Sequence, residues 1–221
     1  MNFIRARVPH DNSCLFTAVD YLVHNGIFRF KAAEKLRTIC IDKIQKNPAK
    51  YTSVYLDQNV QDYCDWLNLN TSWGGENEIL ILAELFDIQI SVIQIETLSI
   101  LTYSPPNVTE NVNTKRIYIL YTGQHYDAII DEDNQQYMFE SDDYAVYDTL
   151  ALSCAEDHKL AWEISLKTRS RKRIKCLECQ ALLKDIEDFK DHCNNTVHSD
   201  DFAYDCEDIE VLETVDNTDD D

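Results

Sequence analysis

The stretch ENEILILAELFDIQISVIQ, residues 76–94, contains the change of pattern that decides the fold. Glu76 to Phe86 repeats its apolar residues at helical spacing, and the face they form is strongly apolar. Beyond Asp87 the period becomes two: Ile88, Ile90 and Val92, followed by Gln94, line one face of a buried strand. Working backward from this switch, the chain is mostly helical. Asn59 to Leu69 is amphipathic and is stopped by Trp73-Gly74-Gly75. Lys31 to Lys46 turns Ala32, Leu36, Ile39 and Ile44 inward and ends at Asn47-Pro48. A helix from about Cys14 carries Leu15, Phe16, Val19, Leu22 and Val23 on one face and closes at Asn25-Gly26. Met1 to Pro9 is the one early strand. Working forward, strands cluster: Ile95 to Thr102 continues the sheet, a loop runs from Pro105-Pro106 to Thr114, and Arg116 to Tyr121 and His125 to Ile130 flank Thr122-Gly123-Gln124. Helices first and strands later predict an α+β fold with helices around a small central sheet.

Composition narrows the function. Of 221 residues, 40 are acidic and 20 basic, a formal net charge of -20. Counterion release from basic surface drives nucleic-acid binding, so this balance argues against DNA as a partner. A basic or neutral partner suits it better, although an acidic surface also simply keeps a protein soluble. Met1 to His10 has no apolar core of a signal peptide, and the most apolar run, Ile79 to Phe86, is too short to span a bilayer. The expectation is a cytoplasmic chain with no membrane insertion. Of eight cysteines only Cys176 and Cys179 form a tight pair, which fits a reducing compartment.

That leaves scattered thiols, one of which stands where chemistry is favoured. Cys14 begins a helix, where unsatisfied N–H groups and the macrodipole stabilise a thiolate. The Asp11-Asn12-Ser13 loop before it can turn backbone amides toward the same point as an oxyanion hole. A lone cysteine at a helix start is more often a small buried residue. His125 shifts the weighing: it follows a glycine turn at the start of a late strand, and Asp127, two residues on, shares its face and can orient the ring. An early Cys and a late His that meet in space are the pattern of a cysteine hydrolase.

Cys176-x2-Cys179-x12-His192-x5-His198 has the spacing of a tetrahedral two-Cys, two-His zinc site. A segment this short needs such a metal to fold. The predicted organisation is a catalytic domain over 1–150, a helix and basic linker over 151–175, the zinc finger over 176–205 and an acidic, solvated tail over 206–221. Lys167 to Lys175 holds six basic residues in nine, and Ser199 to Asp221 holds eleven acids with no Lys or Arg.

Three local sequences taken together are more specific. Asp11-Asn12-Ser13-Cys14-Leu15-Phe16, then Trp73-Gly74-Gly75 with Glu78, then Gly123-Gln124-His125-Tyr126-Asp127 resemble the ovarian-tumour (OTU) family of deubiquitinases. Asp62-Tyr63-Cys64-Asp65-Trp66 resembles the subgroup of that family with a C-terminal zinc finger. The resemblance implies a papain-like fold, with Cys14 as nucleophile, His125 as base, and Asp11 in the site. It implies ubiquitin and polyubiquitin conjugates as partners, met by Asn12, Ser13, Trp73, Gly74, Gly75, Glu78, Gly123 and Tyr126. Ubiquitin's arginine-bearing tail would lie along the Trp73 loop, near Glu76. The subgroup also docks on an AAA ATPase degradation complex through a UBX-like domain. This chain opens almost directly at the catalytic strand, so that partner is a weaker expectation. The rival reading is a catalytically inactive ubiquitin- or partner-binding zinc-finger protein, which would more often have lost Cys14 or His125.

Overall fold

The computed structural model describes residues 1–106, 114–140, 143–169, 172–176, 179–183, 188, 191–192, 196 and 206–210. It divides into two units, Met1–Lys159 and Leu160–Asp221.

In the first unit the order is β1 (Phe3–Ala6), α1 (Cys14–Val23), α2 (Ala32–Lys46), α3 (Val60–Leu67), α4 (Glu76–Phe86), β2 (Gln89–Gln94), β3 (Ser99–Tyr103), β4 (Arg116–Tyr121), β5 (Tyr126–Asp131) and α5 (Tyr144–Arg169), whose far end enters the second unit. The strands form one sheet ordered β1-β5-β4-β2-β3, with β2 parallel to β4 and every other pair antiparallel. The architecture is α+β. The switch at Asp87 is real: this residue takes a left-handed φ of 51° and ends α4.

Ile95 to Thr102 continues the sheet as expected, with Ile95 to Leu98 as a turn and β3 returning antiparallel on β2. Two expectations change. Ile39 is 38 % exposed; the inward stripe of α2 is Leu36, Arg37, Cys40 and Ile44. Finally, β2 is buried on both faces. Ile90 and Val92 join the core beneath the helices, while Ile93 joins a second core with Tyr118, Leu120 and Phe139 under Ala151 and Ala155 of α5. That helix begins at Tyr144. Polar groups anchor its start: Asp148 accepts from Arg116 at 3.0 Å and from the Tyr118 hydroxyl at 2.6 Å, and the Arg116 guanidinium lies 3.6 Å from the Tyr144 ring centre. No helix among the described residues is long and apolar enough to cross a membrane.

The second unit contains a three-stranded antiparallel sheet ordered β7-β6-β8, from β6 (Lys172–Cys176), β7 (Leu182–Leu183) and β8 (Cys206–Glu210). Residues 206–210, expected as the start of the tail, are instead a strand in register with the basic segment, Lys172 opposite Glu210 and Lys175 opposite Glu207. The rest of the expected tail, 211–221, lies outside the described residues, as does His198.

Candidate active site

Cys14 is the first residue of α1 and is 7 % exposed. The loop before it is a tight turn: Asp11 N–H donates to Pro9 O at 2.9 Å, and the Asp11 carboxylate accepts Ser13 N–H at 2.8 Å. Asp11 therefore shapes the loop. Burial pushes the Cys14 thiol above its ordinary pKa; backbone amides of Tyr126 and Leu15 pull it down, and the Asp11 and Asp127 carboxylates push it up. Burial is the largest of these and disfavours the thiolate.

The Tyr126 amide donates to Cys14 Sγ at 3.5 Å, which brings the thiol to the head of β5 beside His125. The turn leading there needs Gly123, at φ 92°, and is closed by Thr122 N–H donating to His125 O at 3.0 Å. The His125 ring is 4 % exposed, with Nε2 at 3.2 Å from Asp127 Oδ1. A carboxylate only accepts, so Nε2 is the donor, and in the neutral ring Nδ1 is the nitrogen with the lone pair. Asp127 is fully buried and takes two further donors, Arg5 Nε at 2.6 Å and Val8 N–H at 2.9 Å. His10 stacks on His125 with centroids 4.3 Å apart and planes 9° apart. The four residues expected to carry the chemistry thus converge.

The Trp73 loop borders the thiol loop. Trp73 is 54 % exposed, and its indole Nε1–H donates to Asn12 Oδ1 at 2.6 Å. A side chain at Gly74 would sit 2.7 Å from Leu15 Cδ2, so only glycine lets this loop approach α1 so closely. Glu78, expected among the substrate contacts, is 1 % exposed. It accepts Gly75 N–H at 2.8 Å and the Tyr63 hydroxyl at 2.7 Å, and so braces the loop from inside. His10, which adjoins the Cys loop in sequence, is the local contact that position offers. Arg5, Val8 and Arg37 were missed: a basic residue on α2 and two residues of the first strand carry no local pattern that marks them.

In the second unit Cys176 ends β6, Cys179 lies in the following turn, and ligand atoms of these two and His192 lie within 4.8 Å of one another. Cys179 Sγ lies 3.3 Å from His192 Nε2. Gln180 N–H donates to Cys176 O at 2.8 Å, folding the knuckle. The three residues form a donor set able to hold a metal ion.

A buried thiol at a helix start, met by a carboxylate-oriented histidine at the head of a sheet strand, defines a cysteine hydrolase of papain-like geometry. The chain belongs to the OTU-like cysteine protease family, whose sequence profile matches residues 9–128. It is similar to ubiquitin thioesterase OTU1 of Mus musculus, with 30 % identity over 200 residues, 88 % of this chain and 56 % of the relative. The Saccharomyces cerevisiae protein of the same name is 32 % identical, across 87 % of this chain and 61 % of the relative. The chain thus spans little more than half the length of these curated relatives. Among solved structures, an ovarian tumor (OTU) domain in complex with ubiquitin matches with TM-score 0.62 and 28 % identity, covering 72 % of this chain and 88 % of that one.

Proposed function

We propose that this chain is a deubiquitinating cysteine protease that cleaves the bond after the C-terminal glycine of ubiquitin. The observation that carries the reading is Cys14 at the start of α1, taking the Tyr126 amide beside a His125–Asp127 pair. His125 Nδ1 takes the proton from Cys14 as Sγ attacks the glycine carbonyl, and the carbonyl electrons move to its oxygen. Within the thiol loop the Asp11 and Ser13 amides are already bonded, and the Cys14 amide reaches Asp11 O only at 3.4 Å. Asn12 N–H and Cys14 N–H are therefore the amides open to the oxyanion. As the tetrahedral adduct collapses, His125 returns the proton to the departing lysine amine. Water, deprotonated by His125, then cleaves the thioester and restores the thiol. The Trp73-Gly74-Gly75 loop is the wall for ubiquitin's extended tail, and Glu76 suits its arginines.

A ubiquitin probe ending in an electrophile tests the assignment. The wild type forms one adduct, and Cys14→Ala and His125→Ala form none. A folded wild type that stays unlabelled sinks the enzyme reading, and an adduct surviving Cys14→Ala means the thiol is wrongly chosen.

The metal of the second unit is, in this proposal, structural zinc. Two thiolates and an imidazole are the soft donors zinc takes, with His198 as fourth ligand from the sequence spacing. Elemental analysis giving no zinc in the purified chain would refute it. A cytoplasmic setting is supported by Cys14, Cys40, Cys64 and Cys154, none in a disulfide. Recruitment to an AAA ATPase complex rests on the subgroup resemblance alone, and co-purification with such an ATPase would test it.

A further inference from the structure

Arg37 is 3 % exposed on the inner face of α2, and all four of its hydrogen-bond acceptors are uncharged. Nη2 reaches Ser72 O at 2.6 Å, Asn12 O at 2.8 Å and Ser13 Oγ at 3.1 Å, and Nη1 reaches Leu67 O at 3.2 Å. The guanidinium carbon lies 4.6 Å from the Phe16 ring centre, while Nε is buried with no hydrogen-bond partner. A buried cation held by neutral carbonyls, with one donor unsatisfied, is a poor device for stability alone.

Its partners form a closed circuit. Arg37 holds the carbonyl of Asn12 and the carbonyl of Ser72, and Trp73, next after Ser72, donates its indole N–H to the Asn12 side chain. The Asn12–Ser13 peptide is fixed at both ends, its carbonyl by Arg37 and its amide by Asp11. This peptide cannot rotate without breaking both bonds. The Asn12 amide on its other side, the free donor of the thiol loop, is then limited to what one residue's torsions allow.

Resting on the deubiquitinase reading, we infer that Arg37 is a positioning residue: it locks the thiol loop to the Trp73 loop and so presets the oxyanion-binding amides before substrate arrives. Acyl transfer needs those amides, because charge develops on the carbonyl oxygen. Alkylation of the same thiol by iodoacetamide forms no oxyanion and needs only the sulfur. The two reactions therefore separate loop geometry from thiol reactivity.

The test compares the wild type, Arg37→Lys and Arg37→Met in turnover of a ubiquitin C-terminal fluorogenic amide. Alkylation of Cys14 by iodoacetamide is followed in parallel by peptide mass spectrometry. Displaced oxyanion donors lower kcat by about 10- to 100-fold, while KM and the alkylation rate stay within about threefold, since neither depends on those donors. Lysine keeps the charge but not the fork, so it fails to rescue. Unchanged turnover in both variants, or turnover and alkylation falling together, overturns the inference and leaves the deubiquitinase reading standing. If the Arg37 variants do not fold, Trp73→Phe, at the exposed end of the circuit, decides through kcat set against the alkylation rate, its KM being left out because Trp73 also walls the tail groove. The same split in milder form supports the lock, and unchanged kcat overturns it. A wild type that does not turn the amide over removes both readings.

Discussion

Each unit of this chain sets cysteine beside histidine, and the two arrangements work in opposite ways. In the second unit two thiols and an imidazole point at one place, with ligand atoms within 4.8 Å. That is a cage whose centre is meant to be filled. In the first unit one thiol faces a backbone amide, and the histidine is turned by a buried carboxylate. Nothing there converges on a common centre, and the space left open suits a carbonyl carbon. The supports differ as well. Leu15, Phe16 and Ala128 share one apolar cluster with Cys14, so apolar burial fixes the thiol's place. The knuckle lies between β6 and β7, the latter only two residues long, and holds a donor set able to take a metal ion.

The sharpest way to break this comparison is Cys14→Ala, which abolishes turnover, a loss of about 1,000-fold or more, without changing the far-ultraviolet spectrum. A fluorogenic ubiquitin assay beside circular dichroism checks it. Cys14 also carries a pH signature. Its pKa is raised, chiefly by burial, so the thiolate is disfavoured, and alkylation must rise with pH to a midpoint above that of an ordinary thiol. A midpoint below it would show that another cation activates the resting thiol.

Asp127→Ala comes next. It frees the His125 ring and removes the acceptor of Arg5 and Val8, and turnover falls by about 100-fold, read as kcat with the probe-reactive fraction counted separately. Chelation has a smaller effect on catalysis and a larger one on the second unit. Hydrogen exchange should show β6 and β7 losing protection, while turnover of the ubiquitin amide changes less than about twofold, because core packing and not metal holds Cys14. Matched losses in both units would mean that they are one cooperative body. The smallest effect is Glu78→Gln, which leaves Gly75 N–H or the Tyr63 hydroxyl without its acceptor. The cost of about 1–2 kcal/mol lowers Tm by a few degrees in a scanning calorimeter.

Local pattern revealed more of this molecule than long-range pairing did. The starts of α1 to α4, the change at Asp87 and the glycine turn before His125 depend on neighbours in the chain, and each stands within a residue of where the pattern puts it. The Cys14 and His125 motifs were legible for the same reason. The second buried face of β2 was not, because α5, which covers it, lies far along the chain and begins with the polar anchors Tyr144 and Asp148. The exposure of Trp73 and the burial of Glu78 reverse what polarity suggests. An indole can stay at the rim when its N–H has a partner, and a carboxylate can go inside when two donors meet it.

The β1 strand has a consequence for where this enzyme can be cut. The shared family pattern begins at residue 9, yet two of the three donors on Asp127 come from Arg5 and Val8, upstream of it. The inherited signature and the working machine therefore have different borders. A fragment trimmed to the signature keeps every signature residue but leaves a fully buried carboxylate facing an empty sheet edge, and His125 without a fixed heading. Protease clipping just after Val8 would take away both upstream donors while sparing each residue by which the family is recognised.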